Sequence, residues 1–297
     1  MKKHAYLILA HDNLYVLDKL LSFLDDERND IFVHLDIKCA GGEKWIKNTK
    51  KRYSRVKFIE RSSVYWAGFS ALKVTLSLLK TAVQTDTYDW YHFISGTDLP
   101  IKSQDVIHAF FDADEKKQLY FHINSTPSKV IQTRCRFYYP FIECKYYRKS
   151  KPLKVISRLI GYSQQLLGIN RLKNNKFYPM YNGWAYFSIP HDFASYILTQ
   201  EREIVRTFRY TLAADEMWIQ SVAIHSEFNE RVYGYNGKDD AVDASKHFMD
   251  WERGKPYTFT EQDFDLLMDH FAFFARKFDA NTDREVIDLV HSKVKNM

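Results

Sequence analysis

The chain has 297 residues, 45% of them apolar and 16% aromatic, enough to bury a full core and too much for a disordered segment. Its net charge of +6 is local: residues 129–176 carry twelve Lys and Arg against a single acid, Glu143, and the remainder is net acidic. This speaks against a protein coated with cation for nucleic acid along its whole length. No apolar run reaches membrane-spanning length, and the apolar stretch after Met1-Lys2-Lys3-His4 is too short for a signal-peptide core. The three cysteines, Cys39, Cys135 and Cys144, are odd in number and scattered, without metal-ligand spacing or a disulfide framework. The expectation is a cytoplasmic protein.

Residues 3–9 (KHAYLIL) read as a first strand, and Asn13 stands where it can cap an amphipathic helix over 14–24. A second strand over 30–36 ends on Asp36, and a short third spans 56–59. Residues 68–82 form a helix with Leu72, Leu76 and Leu79 at three-to-four spacing. Residues 89–94 are the next strand, which breaks into Ser95-Gly96-Thr97-Asp98 and turns away at Leu99-Pro100-Ile101. A helix over 103–111, with Ser103 where it can cap it, and a strand over 118–123 follow. Beyond the basic segment come a strand over 184–189 and helices over 192–200, 215–224, 261–274 and 284–295. Strands alternating with helices predict an α/β fold with a mostly parallel central sheet. Without repeats or Pro/Gly linkers, one domain over 1–297 is the simplest organisation, with a basic, aromatic subregion at about 129–176.

Several residues stand out for their chemistry. Asp98 is a lone carboxylate at a strand end, where hard cations are usually held by several oxygens. If a sugar nucleotide binds there, a group other than a metal must carry the phosphate charge. Asp36 suits a ribose or base contact, or is a cap or surface acid. Gly68, after Val64-Tyr65-Trp66-Ala67, lets a helix N-terminus approach an anion. Asp215 and Glu216 adjoin ahead of an apolar helix, so they point apart. One is a candidate general base, unless both are plain helix-start charge. Arg276 and Lys277 sit among apolar residues and face either a polar cavity or a diphosphate, or are C-terminal helix cations. The interleaved Arg134–Arg136 and 145–149 stretches suit nucleic acid, an anionic membrane surface or a sugar acceptor, and residues 156–169 read as an interfacial helix.

In order along the chain, AYLILAHDN, VHLDIK, SVYWAGFSALK, FISGTDLPIKS, RCRFYY, NGWAYFSIPHDFASYIL, AADEMW, HFMDW and FARKFD resemble the core-2/I-branching β-1,6-N-acetylglucosaminyltransferase family, which includes peptide O-xylosyltransferases. The resemblance implies a GT-A-like fold and an inverting glycosyltransferase using a UDP-sugar without a divalent metal or other cofactor. It implies Glu216 as the catalytic base and Lys277 on the donor diphosphate, with Arg253 or Arg276 as the second cation. Ala10, Asp36, Val64, Tyr65 and Asp98 fall in the donor region. Arg134, Arg136, Trp184, Asp215 and Trp251 fall on the acceptor side. N-acetylglucosamine is the first choice of donor sugar and xylose the second. The animal members' anchor, stem and disulfides find no counterpart, which implies a bacterial, cytoplasmic member. Its acceptor would be a surface glycan or lipid-linked oligosaccharide, with peripheral contact to an anionic inner leaflet and no nucleic-acid partner. The competing expectations are a non-catalytic glycan- or nucleotide-binding relative and, last, a nucleic-acid-binding protein.

Overall fold

The computed structural model describes residues 2–50, 52–147 and 149–297; Arg148, in the basic stretch, lies outside the described residues. The apolar runs of the first hundred residues become β1 (His4–Ala10), β2 (Asn29–Leu35), β3 (Arg55–Phe58) and β4 (Trp90–Ser95), all parallel. Helices α1 (Leu14–Phe23), α2 (Gly42–Asn48) and α3 (Phe69–Thr85) connect them. Next come β5 (Asp98–Pro100), α4 (Gln104–Asp112), β6 (Tyr120–Phe121), α5 (Lys129–Arg136), α6 (Lys151–Leu166) and β7 (Phe187–Pro190). The chain ends with α7 (His191–Thr199), α8 (Glu201–Phe208), α9 (Trp218–Ile224), β8 (His247–Met249), α10 (Phe264–Asp269), β9 (Phe274–Arg276) and α11 (Glu285–Lys295).

The main sheet has the order β3-β2-β1-β4-β7-β6, in which β7 alone runs against the others. Strand alternation sorts β1 between two cores. Ala5 and Leu7 join the layer of α3 and α7, with Leu72, Leu79, Phe93 and Phe193. Tyr6, Ile8 and Ala10 join the layer of α1, α4 and α11, with Leu17, Leu20, Phe111 and Val290. Both faces are covered, which is why β1, β2 and β4 read as near-continuous apolar runs. A small second sheet, β5-β9-β8, lies at the carboxyl end of β4.

Five expectations are corrected. Ser103 stands before α4 but makes no capping hydrogen bond. Asn13 stands before α1 with left-handed backbone, φ 55°, but does not cap it. Its amide donates to Asp279 at 2.8 Å instead, tying the helix start to the C-terminal segment. The helix expected over 261–274 stops at Asp269 and resumes as β9. A short, continuously buried apolar run has no helical or strand period of its own, so its pairing decides. The strands expected over 118–123 and 184–189 shorten to β6 and β7. The helix over 215–224 begins as a separate 3₁₀ turn, Ala214–Glu216.

Candidate active site

In a parallel sheet the connections reverse direction at one strand pair, and a crevice opens at the carboxyl ends there. That point falls between β1 and β4. A cleft of about 590 Å³ opens above it, floored by Leu9, Phe93 and Ser95. Its walls come from the segment before α3, the segment before β7, the Ala214–Glu216 turn and the loops around Trp251 and Lys277.

One wall is cationic. The antiparallel β5–β9 register sets Asp98 opposite Arg276. Asp98 is fully buried; one oxygen accepts the Ser95 N–H at 2.7 Å and the other the Arg276 guanidinium at 2.8 Å. Arg276 also donates to Thr97 Oγ1 at 2.8 Å and lies 5.1 Å from the Tyr186 ring. A planar guanidinium so clamped presents its remaining N–H edge in a set direction. Lys277 lines the cleft beside it, and among the described residues its ammonium has no ion pair. His247 backs the pair, stacked between Tyr186 and Phe274 and 3.8 Å from Asp98.

The Ala214–Glu216 turn makes another part of the lining acidic. Ala67 and Ala213 both hold left-handed backbone, at φ 61° and 56°, and the Ala213 N–H donates to the Ala67 carbonyl at 2.8 Å. Such conformations cost an L-residue about 1–2 kcal/mol; here they fasten the turn after Ala213 to the segment before α3. Successive side chains in a 3₁₀ turn diverge by about 120°, so Asp215 and Glu216 point apart while both line the cleft, Asp215 half-buried and Glu216 exposed. One Asp215 oxygen is buried without a partner. Burial, and then the neighbouring Glu216 charge, push its carboxyl up to about 7. The Glu216 side chain is 49% exposed and 3.2 Å from Arg134. The cleft walls still withdraw enough water to raise its carboxyl, and Arg134 pulls it back. The Glu216 carbonyl accepts the Gly183 N–H at 2.9 Å, and Gln220 donates to the Trp184 and His122 carbonyls at 2.9 and 3.1 Å. Gly183 is required: a Cβ there would lie 1.8 Å from the His122 carbonyl oxygen. These bonds place Trp184 at the rim, where it joins Tyr65, Trp66 and Trp251 as ring faces suited to stacking.

The cleft thus gathers Val64, Tyr65, Trp184, Asp215, Glu216, Trp251, Arg276 and Lys277, with Arg134 reaching it through Glu216. Five sequence candidates lie elsewhere. Asp98 is beneath the site, because the β5 register turns its carboxylate to Arg276. Asp36 is buried; its oxygens accept the N–H groups of Lys38 and Val64 at 2.8 and 2.9 Å, so it holds the Val64–Tyr65 wall rather than facing the cleft. Ala10 is fully buried under Gly96. Arg136 donates to the Ile169 carbonyl. Arg253 pairs with Asp250 and Asp263 and stacks over Tyr257, which leaves Arg276 as the arginine beside Lys277. The sequence reading missed His11, Trp66, Tyr186, Lys255 and Pro256, which also line the cleft. Trp66 carried a signal, an indole directly before the Ala67-Gly68 turn. Among the described residues, His4, His108 and Asp112 form a group with metal-ligand spacing, but at the amino end of β1, away from the cleft.

The chain matches the family model described as Core-2/I-Branching enzyme over residues 4–267. It is 24% identical to Xylosyltransferase 2 of Rattus norvegicus over 303 residues, 96% of this chain and 33% of that protein. It is 22% identical to Xylosyltransferase 1 of Homo sapiens over 300 residues, 95% of this chain and 29% of that protein. The chain therefore spans about a third of the length of the curated relatives it matches. Similar solved structures include mouse xyloside xylosyltransferase 1 in its apo form, at 8% identity and a TM-score of 0.38, covering 91% of this chain and 96% of that one. Another is the galactosyltransferase LgtC in complex with donor and acceptor sugar analogs, at 10% identity and a TM-score of 0.42, covering 97% and 95%.

Proposed function

The chain belongs to the Core-2/I-Branching enzyme family, and from that premise we propose that it is an inverting, metal-independent glycosyltransferase acting as a single GT-A-like domain. It moves a sugar from a UDP-sugar to a glycan or lipid-linked oligosaccharide acceptor and forms a β-linkage. The observation that carries this reading is one cleft lined both by a half-exposed carboxylate, Glu216, and by two adjacent cations, Arg276 and Lys277.

Each wall suits one half of the reaction. Glu216 takes the proton from the acceptor hydroxyl as that oxygen attacks C1 of the α-linked sugar. The C1–O bond to the β-phosphate breaks, and the electron pair leaves with UDP. Arg276 and Lys277 meet the negative charge that grows there, the stabilisation a preorganised cationic wall supplies. Asp98 holds Arg276 in position, and Asp36 holds the Val64–Tyr65 wall for the nucleotide. Arg134 orients Glu216 and tempers its basicity. Trp184, Trp251 and Asp215 face the acceptor. The cell compartment we assign is the cytoplasm of a bacterium.

N-acetylglucosamine and xylose are the two donor sugars to compare. The first follows from the N-acetylglucosaminyltransferases that the family motifs resemble, and the second is favoured by the xylosyltransferase names of the relatives. A thermal-shift panel of UDP, UDP-N-acetylglucosamine and UDP-xylose in EDTA tests the reading without a known acceptor. A ligand at about 100 times its Kd adds roughly 2.7 kcal/mol of stability. Stabilisation by UDP and one of the two sugars in EDTA is the expected result. A shift that requires added Mn²⁺ refutes the cationic clamp, and no shift under either condition refutes the transferase reading.

A further inference from the structure

Helix α6 is amphipathic in the wrong sense for a helix that only packs on its own protein. At 100° per residue, Val155, Ile156, Leu159, Tyr162 and Leu166 fall within an arc of about 120°. All five are exposed, Leu159 by 60% and Leu166 by 89%, and Leu167 just beyond the helix by 76%. Gln164, on the opposite side, is the helix's one fully buried residue; its amide exchanges hydrogen bonds with the Tyr138 backbone at 2.8 and 3.0 Å. The helix is therefore fastened on the side of Gln164, where Leu153 and Ile160 are half-buried, and turns its larger apolar stripe outward.

The charge around the stripe is of one sign. Lys151, Lys154 and Arg158 line one edge of it, with Lys145 and Lys149 before the helix, and no Asp or Glu occurs between Glu143 and Asp192. We propose that α6 is a docking helix for an anionic lipid bilayer surface, lying in the interface with its aliphatic stripe among the acyl chains and its cations on the headgroups. Aliphatic Leu, Ile and Val favour lipid over nucleic acid, which rewards stacking rings and phosphate-directed cations. The segment that carries α6 also carries Arg134, which touches Glu216. Docking would thus hold the cleft close to the membrane, so in the transferase reading, on which this consequence rests, the acceptor class is lipid-linked.

The test is flotation of the full chain with vesicles of phosphatidylcholine containing 30 mol% phosphatidylglycerol, against phosphatidylcholine alone. The wild type should float with the anionic vesicles and release with added salt. Lys151→Gln, Lys154→Gln and Arg158→Gln together should weaken binding about 100-fold, at about fivefold per cation. Leu159→Ser with Leu166→Ser should weaken it by at least tenfold per residue. These side chains are exposed, so the melting temperature and the UDP-induced shift should both persist. Retained UDP shift with lost flotation isolates the docking claim, whereas flotation without any UDP shift would count against the transferase reading alone. Absence of wild-type flotation, or flotation unchanged by both sets of substitutions, overturns the proposal. So does a dimer on size-exclusion light scattering that the leucine substitutions dissolve while flotation is absent, which would give the stripe to a second copy. A nucleic-acid gel shift without flotation overturns it as well.

Discussion

Asp98 is the residue whose replacement tests the architecture of the site most directly. In Asp98→Asn the shape is kept, but two donors, the Ser95 N–H and the Arg276 guanidinium, compete for one carbonyl oxygen. The Arg276 side chain is only 18% exposed, so its charge is left without a counter-ion away from water. Breaking one side of a buried pair costs about 3–5 kcal/mol. At about 2–3 °C per kcal/mol for a chain of this size, the Tm should fall by roughly 6–15 °C. Differential scanning fluorimetry and urea titration both read the loss. Adding Arg276→Met to Asp98→Asn removes the stranded charge and should recover part of the stability, a non-additivity expected of residues in contact. Affinity for UDP should fall in both variants, because either the aim or the cation is gone. A Tm drop below about 2 °C, or a double variant as unstable as the sum of the singles, would refute the argument that Asp98 acts through Arg276.

Three further outcomes follow from the acidic wall. Glu216→Gln should lower UDP-sugar turnover about 10²- to 10⁴-fold while leaving the UDP-induced thermal shift intact; turnover within a few-fold of wild type would remove Glu216 as the base. Arg134→Gln should move the acidic limb of the pH–rate profile upward. The pair is a third to a half exposed, so it is worth about 0.2–1 kcal/mol and the rise is modest; a limb that moves down would contradict the pairing. Asp215 has its folded carboxyl raised to about 7 from 3.8. The unfolded chain therefore ionises first, and stability is lost as pH rises between those values. Asp215→Asn should raise the Tm at pH 8 and gain nothing near pH 3.5; an advantage independent of pH would refute the assignment.

Sequence alone determined the elements whose signal is local. The strands β1, β2 and β4 and the helices α1 and α3 declare themselves by apolar period, because burial on two faces or one stripe is written in every few residues. The Asp215-Glu216 and Arg276-Lys277 pairs were legible for a related reason, since charges set among apolar residues need a partner or a cavity. Tertiary structure decided which of the charges face the cleft. Asp98 and Arg276 are 178 positions apart, and only the β5–β9 register reveals that the lone carboxylate serves an arginine rather than a ligand. Asp36 looks as free in sequence as Glu216, yet the fold brings the Val64 N–H, 28 positions away, onto its carboxylate. Residues 264–276 carry the same apolar density in α10 and in β9, and pairing with β5 and β8 turns the second half into strand. Such contacts are made between residues distant in the chain, and no local pattern records them.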